Sequence, residues 1–369
     1  MSGVDGFLEL FKLMVDRGAS DLHLRVPSPP VLRIDGMLTP LQDLPPITAK
    51  DVEMLLDRIA TPEQGSTFLR EMELDFAYSV PGLARFRVSA LRQRGTISLS
   101  FRLVPFEVLS LDDLGLPQIC KELVLKPRGL VLVTGPTGSG KSTTVAAMIN
   151  HLNENDMRNV ITIEDPIEYL HPNKKCLIAQ RDLGDDTKSF DVALVHALRH
   201  DPDVIVVGEM RDLATIATAI RAAETGHLVL GTLHTIDAAQ TVDRIIDIFP
   251  ADQQQQIRLQ LSQVIEAVLS QALIPCIGGG RIAAFEIMVA TPAVRNLIRE
   301  AKTFELPNVM RLSTKNGMQT LDEALADLVR RGTVSQEEAM MKTSNPDRLK
   351  KSLGVSTCGL EASHSGWRS

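Results

Sequence analysis

Gly135-Pro136-Thr137-Gly138-Ser139-Gly140-Lys141-Ser142 follows an apolar run, Gly129-Leu-Val-Leu-Val-Thr134, and this pairing decides the fold. The run reads as a buried strand, and the glycine-rich stretch has the G-x-x-x-x-G-K-[ST] spacing of a phosphate-binding loop. Glycines let the backbone turn sharply enough for successive N–H groups to face one anion. That anion would sit at the positive end of a helix opening with Lys141, Ser142 and Thr143. Gly135 to Thr143 are therefore the expected contacts of a nucleoside triphosphate. Lys141 is expected to reach the β- and γ-phosphates as a point charge, and the Ser142 hydroxyl to ligate a magnesium ion that keeps several of its waters.

Outward from the loop the chain keeps a strand-and-helix rhythm. Val160-Ile-Thr-Ile-Glu164, Val204-Ile-Val-Val207, Leu228-Val-Leu-Gly-Thr232 and Ile282-Ala-Ala-Phe-Glu-Ile287 are short β-branched runs, with helical segments at Phe190–Arg199 and Leu213–Glu224 between several of them. This predicts an α/β domain with a mainly parallel sheet, and such sheets place their ligands at the carboxyl ends of the strands. Hydrolysis needs a positioned water, a group to orient or deprotonate it, and cations for the charge developing on the γ-phosphoryl oxygens. Gly208-Glu209 ends one strand, so Glu209 is expected near magnesium or its water shell. Glu164 ends another, ahead of Asp165-Pro-Ile-Glu168, and is the first candidate to activate water, with Glu209 the second. A plainer alternative is that Glu164 or Asp165 caps the next element. His227 and His234 flank the strand from Leu228 to Leu233. His234 is placed to sense a γ-phosphate, whereas His227 reads equally as a catalytic group or as a satisfied turn residue.

Ahead of this domain, residues 1–104 alternate helix-like and strand-like patterns. Phe7 to Arg17 is amphipathic and stops at Gly18, Asp21–Arg25 and Val31–Asp35 alternate as strands, Ala49–Ile59 is a helix capped by Thr48, and Leu74–Leu103 is strand-rich. Arg85, Arg87, Arg92, Arg94 and Arg102 form a cationic group there, either a solvated face or a functional one. Residues 105–128 read as the interdomain connection, 129–350 as the nucleotide domain with C-terminal helices, and 351–369 as a polar, aperiodic tail expected to be disordered.

Composition narrows the function classes. The 369 residues carry a net charge of −7 with only 4% aromatics, against the basic, ring-bearing groove of a nucleic-acid translocase. No run is apolar enough to span a bilayer and the N-terminus does not read as a secretory signal, so a cytoplasmic location is expected. Cys120, Cys176, Cys276 and Cys358 form no C-x-x-C pair and read as reduced thiols rather than zinc ligands.

Taken together, Gly135 to Ser142, Ile161-Thr-Ile-Glu-Asp-Pro-Ile-Glu168, Asp201-Pro-Asp-Val-Ile-Val-Val-Gly-Glu-Met-Arg-Asp212 and Thr225-Gly-His227 through Leu233-His-Thr235 resemble four motifs of the secretion and type IV pilus motor ATPases. These are the Walker A, aspartate-box, Walker B and histidine-box motifs. The resemblance reaches into the first domain at Gly18-Ala-Ser-Asp-Leu-His-Leu24, Arg33-Ile-Asp-Gly36 and Arg85-Phe-Arg-Val-Ser89, and spans about Leu8 to Leu349. Leu297-Ile-Arg-Glu-Ala-Lys302 is similar to the A-I-R-E-G-K segment of the retraction motors. The resemblance implies a PAS-like N-terminal α/β domain, then a RecA-like P-loop domain with a mainly parallel sheet and a C-terminal helical region. It also implies a homohexamer that hydrolyses ATP with Mg2+, with Arg87 and Arg102 as arginine fingers. The implied partner is an inner-membrane pilus platform protein, and the implied work is pilus retraction at the inner face of the cytoplasmic membrane. Ala301 and Leu297 depart from the glycine and alanine of A-I-R-E-G-K, and Val195 stands where retraction motors commonly carry arginine. The Val195 departure admits an accessory retraction motor, a paralogue and possible companion of the main one. An assembly or secretion ATPase and a nucleotide-dependent scaffold are the remaining alternatives.

Overall fold

A computed structural model describes residues 4–34, 36–104, 108–343 and 345–354. The chain divides into two compact units, Met1–Val108 with Ile163–Pro172 and Gln180–Ala193, and Leu109–Thr162 with Asn173–Ala179 and Leu194–Ser369. Cys358 and most of the expected tail lie outside the described residues.

In the first unit, α1 (Val4–Asp16) precedes β1 (Asp21–Arg25), β2 (Val31–Ile34) and β3 (Met37–Pro40), followed by α2 (Ala49–Ile59), α3 (Pro62–Glu71), β4 (Glu73–Val80), β5 (Ala84–Gln93) and β6 (Thr96–Val104). The strands form one antiparallel sheet in the order β3-β2-β1-β6-β5-β4. Alternation builds it: Ala84, Phe86, Val88 and Ala90 of β5 are buried, while Arg85, Arg87 and Ser89 between them take the other face. Phe11 of α1 closes the buried face, its ring 4.8 Å from Phe86 and 4.9 Å from Phe101. Thr48 caps α2 as expected, in a reciprocal box with Asp51. Sequence did not mark α3, where Gly65 weakens the helical signal, although Thr61 and Gln64 form a second capping box.

The second sheet runs β13-β12-β7-β11-β10-β8-β9. Its chain begins with α4 (Ile119–Val124), β7 (Gly129–Thr134), α5 (Lys141–Asn155), β8 (Asn159–Glu164), β9 (Leu177–Asp182), α6 (Phe190–Ala197), β10 (Val204–Val207), α7 (Leu213–Glu224) and β11 (Leu228–Leu233). It continues with α8 (Ala238–Asp247), α9 (Ala251–Val264), β12 (Ile265–Pro275) and β13 (Arg281–Val289). Helices α10 (Pro292–Arg299), α11 (Leu306–Leu312), α12 (Leu321–Arg330), α13 (Gln336–Lys342) and α14 (Pro346–Ser352) complete the described chain. β12, β7, β11 and β10 are parallel, whereas β13 returns antiparallel on β12. The run Ile282–Ile287 therefore belongs to a hairpin rather than to the parallel set. Its partner strand escaped the sequence reading because α9 passes into β12 at Val264–Ile265 with no turn residue between, and Glu266, Ser270 and Gln271 interrupt its apolar pattern. Helix α14 reaches Ser352, so the expected tail from 351 begins inside a helix. Ala301 has φ 57°, a left-handed conformation that glycine adopts freely, which accounts physically for the glycine in the resembled motif.

One buried carboxyl ties the hairpin to two helices. Glu286 of β13 accepts from Ala238 N at 2.8 Å and from the backbone of Leu321, at the first residues of α8 and α12. Burial is the main cause that pushes its carboxyl up to about 7, and Asp237 and Asp322 push the same way. The folded state thus holds this proton more tightly than the unfolded chain, whose ordinary value is 4.5. Glu286 costs stability progressively as pH rises from about 4.5 to about 7, and the cost levels off above that. Glu286→Gln keeps an acceptor and removes the charge. Its melting temperature is expected to exceed the parent's at pH 8, by on the order of 3 kcal/mol in stability, and to converge with it near pH 4.5. Thermal melts across that range check the convergence, and a constant offset would refute the assignment.

Candidate active site

β7 is buried along its whole length and delivers the chain into the loop at Gly135. Gly135, Gly138 and Gly140 have φ of 144°, 77° and 89°, and Gly140 is the residue immediately preceding α5. Gly135 and Ser139 are buried and Pro136, Thr137 and Gly138 exposed, so the loop bulges outward from a fixed base. No side chain caps α5, and the positive end of the helix dipole there favours an anion. Lys141 Nζ donates to Gly135 O at 2.8 Å and Pro136 O at 3.1 Å, which holds its charge over the loop. Ser142 is exposed in the same turn and Thr143 half-buried.

A second cluster forms where β10 ends. Met210 N donates to Thr232 O at 3.0 Å and Thr232 Oγ1 donates to Gly208 O, fixing the segment after β10 to the end of β11. Glu209 then receives both Nε and Nη2 of Arg211, and His234 Nε2 lies 2.9 Å from Glu209 Oε1. Burial alone would raise the Glu209 carboxyl, but Arg211 and His234 outweigh it and hold the group below its ordinary value, so it is ionised at neutral pH. Leu233 pairs with Thr134, which sets His234 level with Gly135 at the loop end of the sheet. His227 lies at the other end: Leu228 pairs with Gly129, roughly 20 Å away along the strand. Its Nδ1 sits 2.9 Å from Ala222 O and 3.2 Å from Thr225 Oγ1. The structure therefore does not bring His227 to the phosphate loop of its own chain, and the turn-residue reading describes its surroundings.

Glu164 is the last residue of β8. Asp203 N donates to Asn159 O at 2.9 Å, so β8 and β10 start side by side. Gln180 Nε2 donates to Glu164 Oε1 at 3.1 Å and to Tyr169 O at 2.9 Å, linking the carboxylate to the chain that follows it.

The arginine group of the first unit disperses. Arg85 pairs with buried Asp182 at 2.9 Å, and Arg92 stacks over the Phe68 ring at 5.9 Å. Arg87 and Arg102 remain as directly opposed residues of β5 and β6. Arg102 Nε donates to Asp21 Oδ1 at 2.8 Å while its side chain stays 69% exposed, and Arg33 approaches the same carboxylate at 3.8 Å. Burial would raise Asp21, but Ser20 and Arg102 hold it low.

Residues 73–341 match the family described as type II/IV secretion system protein. The chain belongs to this family. It is 50% identical over 92% of its length, and 99% of the relative's, to the type IV pilus retraction ATPase PilT of Pseudomonas aeruginosa. It is 41% identical to that organism's type IV pilus ATPase PilU, over 93% of this chain and 90% of the other. Among solved structures it resembles the pilus retraction motor PilT with bound ADP, at TM-score 0.88 and 45% identity, covering 93% of this chain and 98% of that one. A type II/IV secretion system protein of this kind is an ATPase, and the fold described above is the nucleotide-binding one. Among the described residues of this ATPase no helix is long and apolar enough to cross a membrane. Two of its residues were not singled out from sequence. Arg211 lay within a quoted motif but had no role until its two bonds to Glu209 were seen, and Gln271 lies on the unmarked strand β12.

Proposed function

We infer that this chain hydrolyses ATP to power type IV pilus retraction, as a homohexameric ring that works on an inner-membrane platform protein from its cytoplasmic side. The observation that carries this reading is one sheet edge bearing the glycine loop, Lys141 and the cluster of Glu209, Arg211 and His234, in a chain half identical, nearly end to end, to a pilus retraction ATPase. In this reading the loop N–H groups and Lys141 bind the phosphates. The exposed Ser142 hydroxyl and the Glu209 carboxylate are hard oxygen donors that suit Mg2+, the latter through water, with phosphate and water completing the shell. When bound, the ion would supply positive charge against the phosphate oxygens. Glu164 orients and deprotonates the attacking water, and His234, bonded to Glu209, senses the γ-phosphate. In the assembled ring Arg87 and Arg102 of the N-terminal domain, residues 1–104, supply cations to the γ-phosphoryl oxygens. Domain closure on ATP and opening on product release then turn binding energy into displacement of the platform.

The accessory retraction motor is the second reading, admitted by Val195. The Ala301 departure adds nothing to it, since its φ of 57° keeps a backbone conformation that glycine adopts freely.

The test has two arms. Purified protein is expected to release phosphate from ATP in the presence of Mg2+, and binding without turnover would leave only a scaffold. Deleting the gene in its host is expected to leave cells that bear surface pili but no longer retract them. Bald cells would mean an assembly motor, and unchanged retraction would overturn the reading.

A further inference from the structure

Gln271 belongs to none of the recognised motifs, yet the phosphate loop rests on it. It follows Ser270, which pairs with Thr134 of β7, so it lies beside the residue where the loop begins. Only 4% of it is exposed. Its Nε2 donates to Ser139 O at 2.7 Å, and its Oε1 accepts from Thr144 Oγ1 of α5 at 2.8 Å. Both ends of one amide are thus spent on the two sides of the loop, with Ser139 3% and Thr144 1% exposed. The backbone presses as closely. A Cβ on Gly135 would meet Gln271 O at 2.4 Å, and one on Gly140 would meet Gln271 Nε2 at 2.9 Å. Gly135 is therefore required by this neighbour's backbone, and both glycines by their own positive φ.

The bond to Ser139 O has a directional consequence. In a trans peptide the carbonyl and the following N–H point in opposite directions within one rigid plane. Gln271 draws the Ser139 carbonyl inward, toward β12, so the Gly140 N–H is turned outward. We propose that Gln271 is a positioning residue for nucleotide binding, whose side-chain amide sets the Ser139–Gly140 peptide plane and thereby aims the Gly140 N–H at the phosphates. Its bond to Thr144 fixes the first turn of α5 to the same support, so the N–H groups of helix and loop converge on one point. A residue that merely filled the core would need neither amide end. Without the amide, the peptide plane is free to rotate, and a donor aimed at a charged phosphate is lost to part of the population.

This inference rests on the nucleotide-binding reading, and its test is read on ADP affinity so that the two fail separately. Gln271→Leu keeps the volume and removes both bonds. It is expected to weaken ADP binding, measured by titration calorimetry, by about tenfold or more, the worth of one charge-assisted hydrogen bond, with a matching rise in KM for ATP. Affinity within twofold of the parent, in a variant whose circular dichroism matches the parent's, overturns the proposal. Gln271→Glu covers the case where the leucine variant does not fold. Its ionised carboxylate repels Ser139 O, whereas its protonated form has an O–H to donate to that oxygen. ADP affinity of this variant, relative to the parent at each pH, is expected to recover as pH falls from 8.5 to 5.5. A flat ratio refutes the role, and thermal melts at each pH separate recovered affinity from a recovered fold. If the parent binds ADP without hydrolysing ATP, the motor reading fails and this one stands. If the parent hydrolyses ATP and neither variant changes ADP affinity, only the role of Gln271 falls.

Discussion

Lys141→Ala is expected to cut ATP turnover at least a hundredfold and to weaken nucleotide binding with it. The side chain lies across the loop, bonded to Gly135 O and Pro136 O, so its ammonium is held against the loop itself. Truncation removes a full charge from a site whose ligand gains negative charge on its transferred oxygens, and one preorganised donor of this kind is worth about 10²–10³ in rate. The fold is expected to survive. Helix α5 is held by Val145, Ala146, Met148, Ile149 and Leu152 on its buried side, none of which depends on Lys141. Phosphate release and calorimetric titration with ADP, run beside a thermal melt, separate a lost cation from a lost fold. Turnover within threefold of the parent in a folded variant would remove Lys141 from the site.

Glu164→Gln is expected to have the opposite signature, with nucleotide binding largely kept and turnover lowered by about two to four orders of magnitude, the usual worth of a general base. The substitution is isosteric and retains an oxygen to accept from Gln180 Nε2, so the surroundings of β8 need not move. What it removes is the basic oxygen that takes a proton from water. Glu209→Gln makes the contrast, because that carboxylate is already engaged by Arg211 and His234 and its neutralisation removes the charge to which Arg211 is bonded. If Glu209→Gln alone abolished turnover while Glu164→Gln left it intact, the roles of base and magnesium partner would be exchanged.

Much of the site was legible because it is local. A strand of six buried residues, a loop of fixed glycine spacing and a helix starting at Lys141 all lie within one continuous stretch, and β10, β11 and α7 carry similarly regular patterns. What was not legible depends on neighbours distant in sequence. His227 and His234 stand seven positions apart in one motif, and only the register of β11 on β7 shows which is level with the loop. Arg85, Arg87, Arg92 and Arg102 look alike along the chain, and only their partners sort them into a buried ion pair, a ring contact and two opposed cations. β12 was missed for a physical reason, since the helix before it ends without a glycine or proline and its own pattern is broken by polar residues that turn inward.

Those inward polar residues have a mechanical consequence. Across the hairpin Ser270 pairs with Glu286 and Gln271 with Phe285, so the strand that carries the loop's support is laced to the strand whose carboxyl grips the starts of α8 and α12. In a close-packed interior such neighbours do not shift independently. Any displacement of the loop is loaded directly onto this hairpin, which acts as a stiff strut between the fuel and the C-terminal helices.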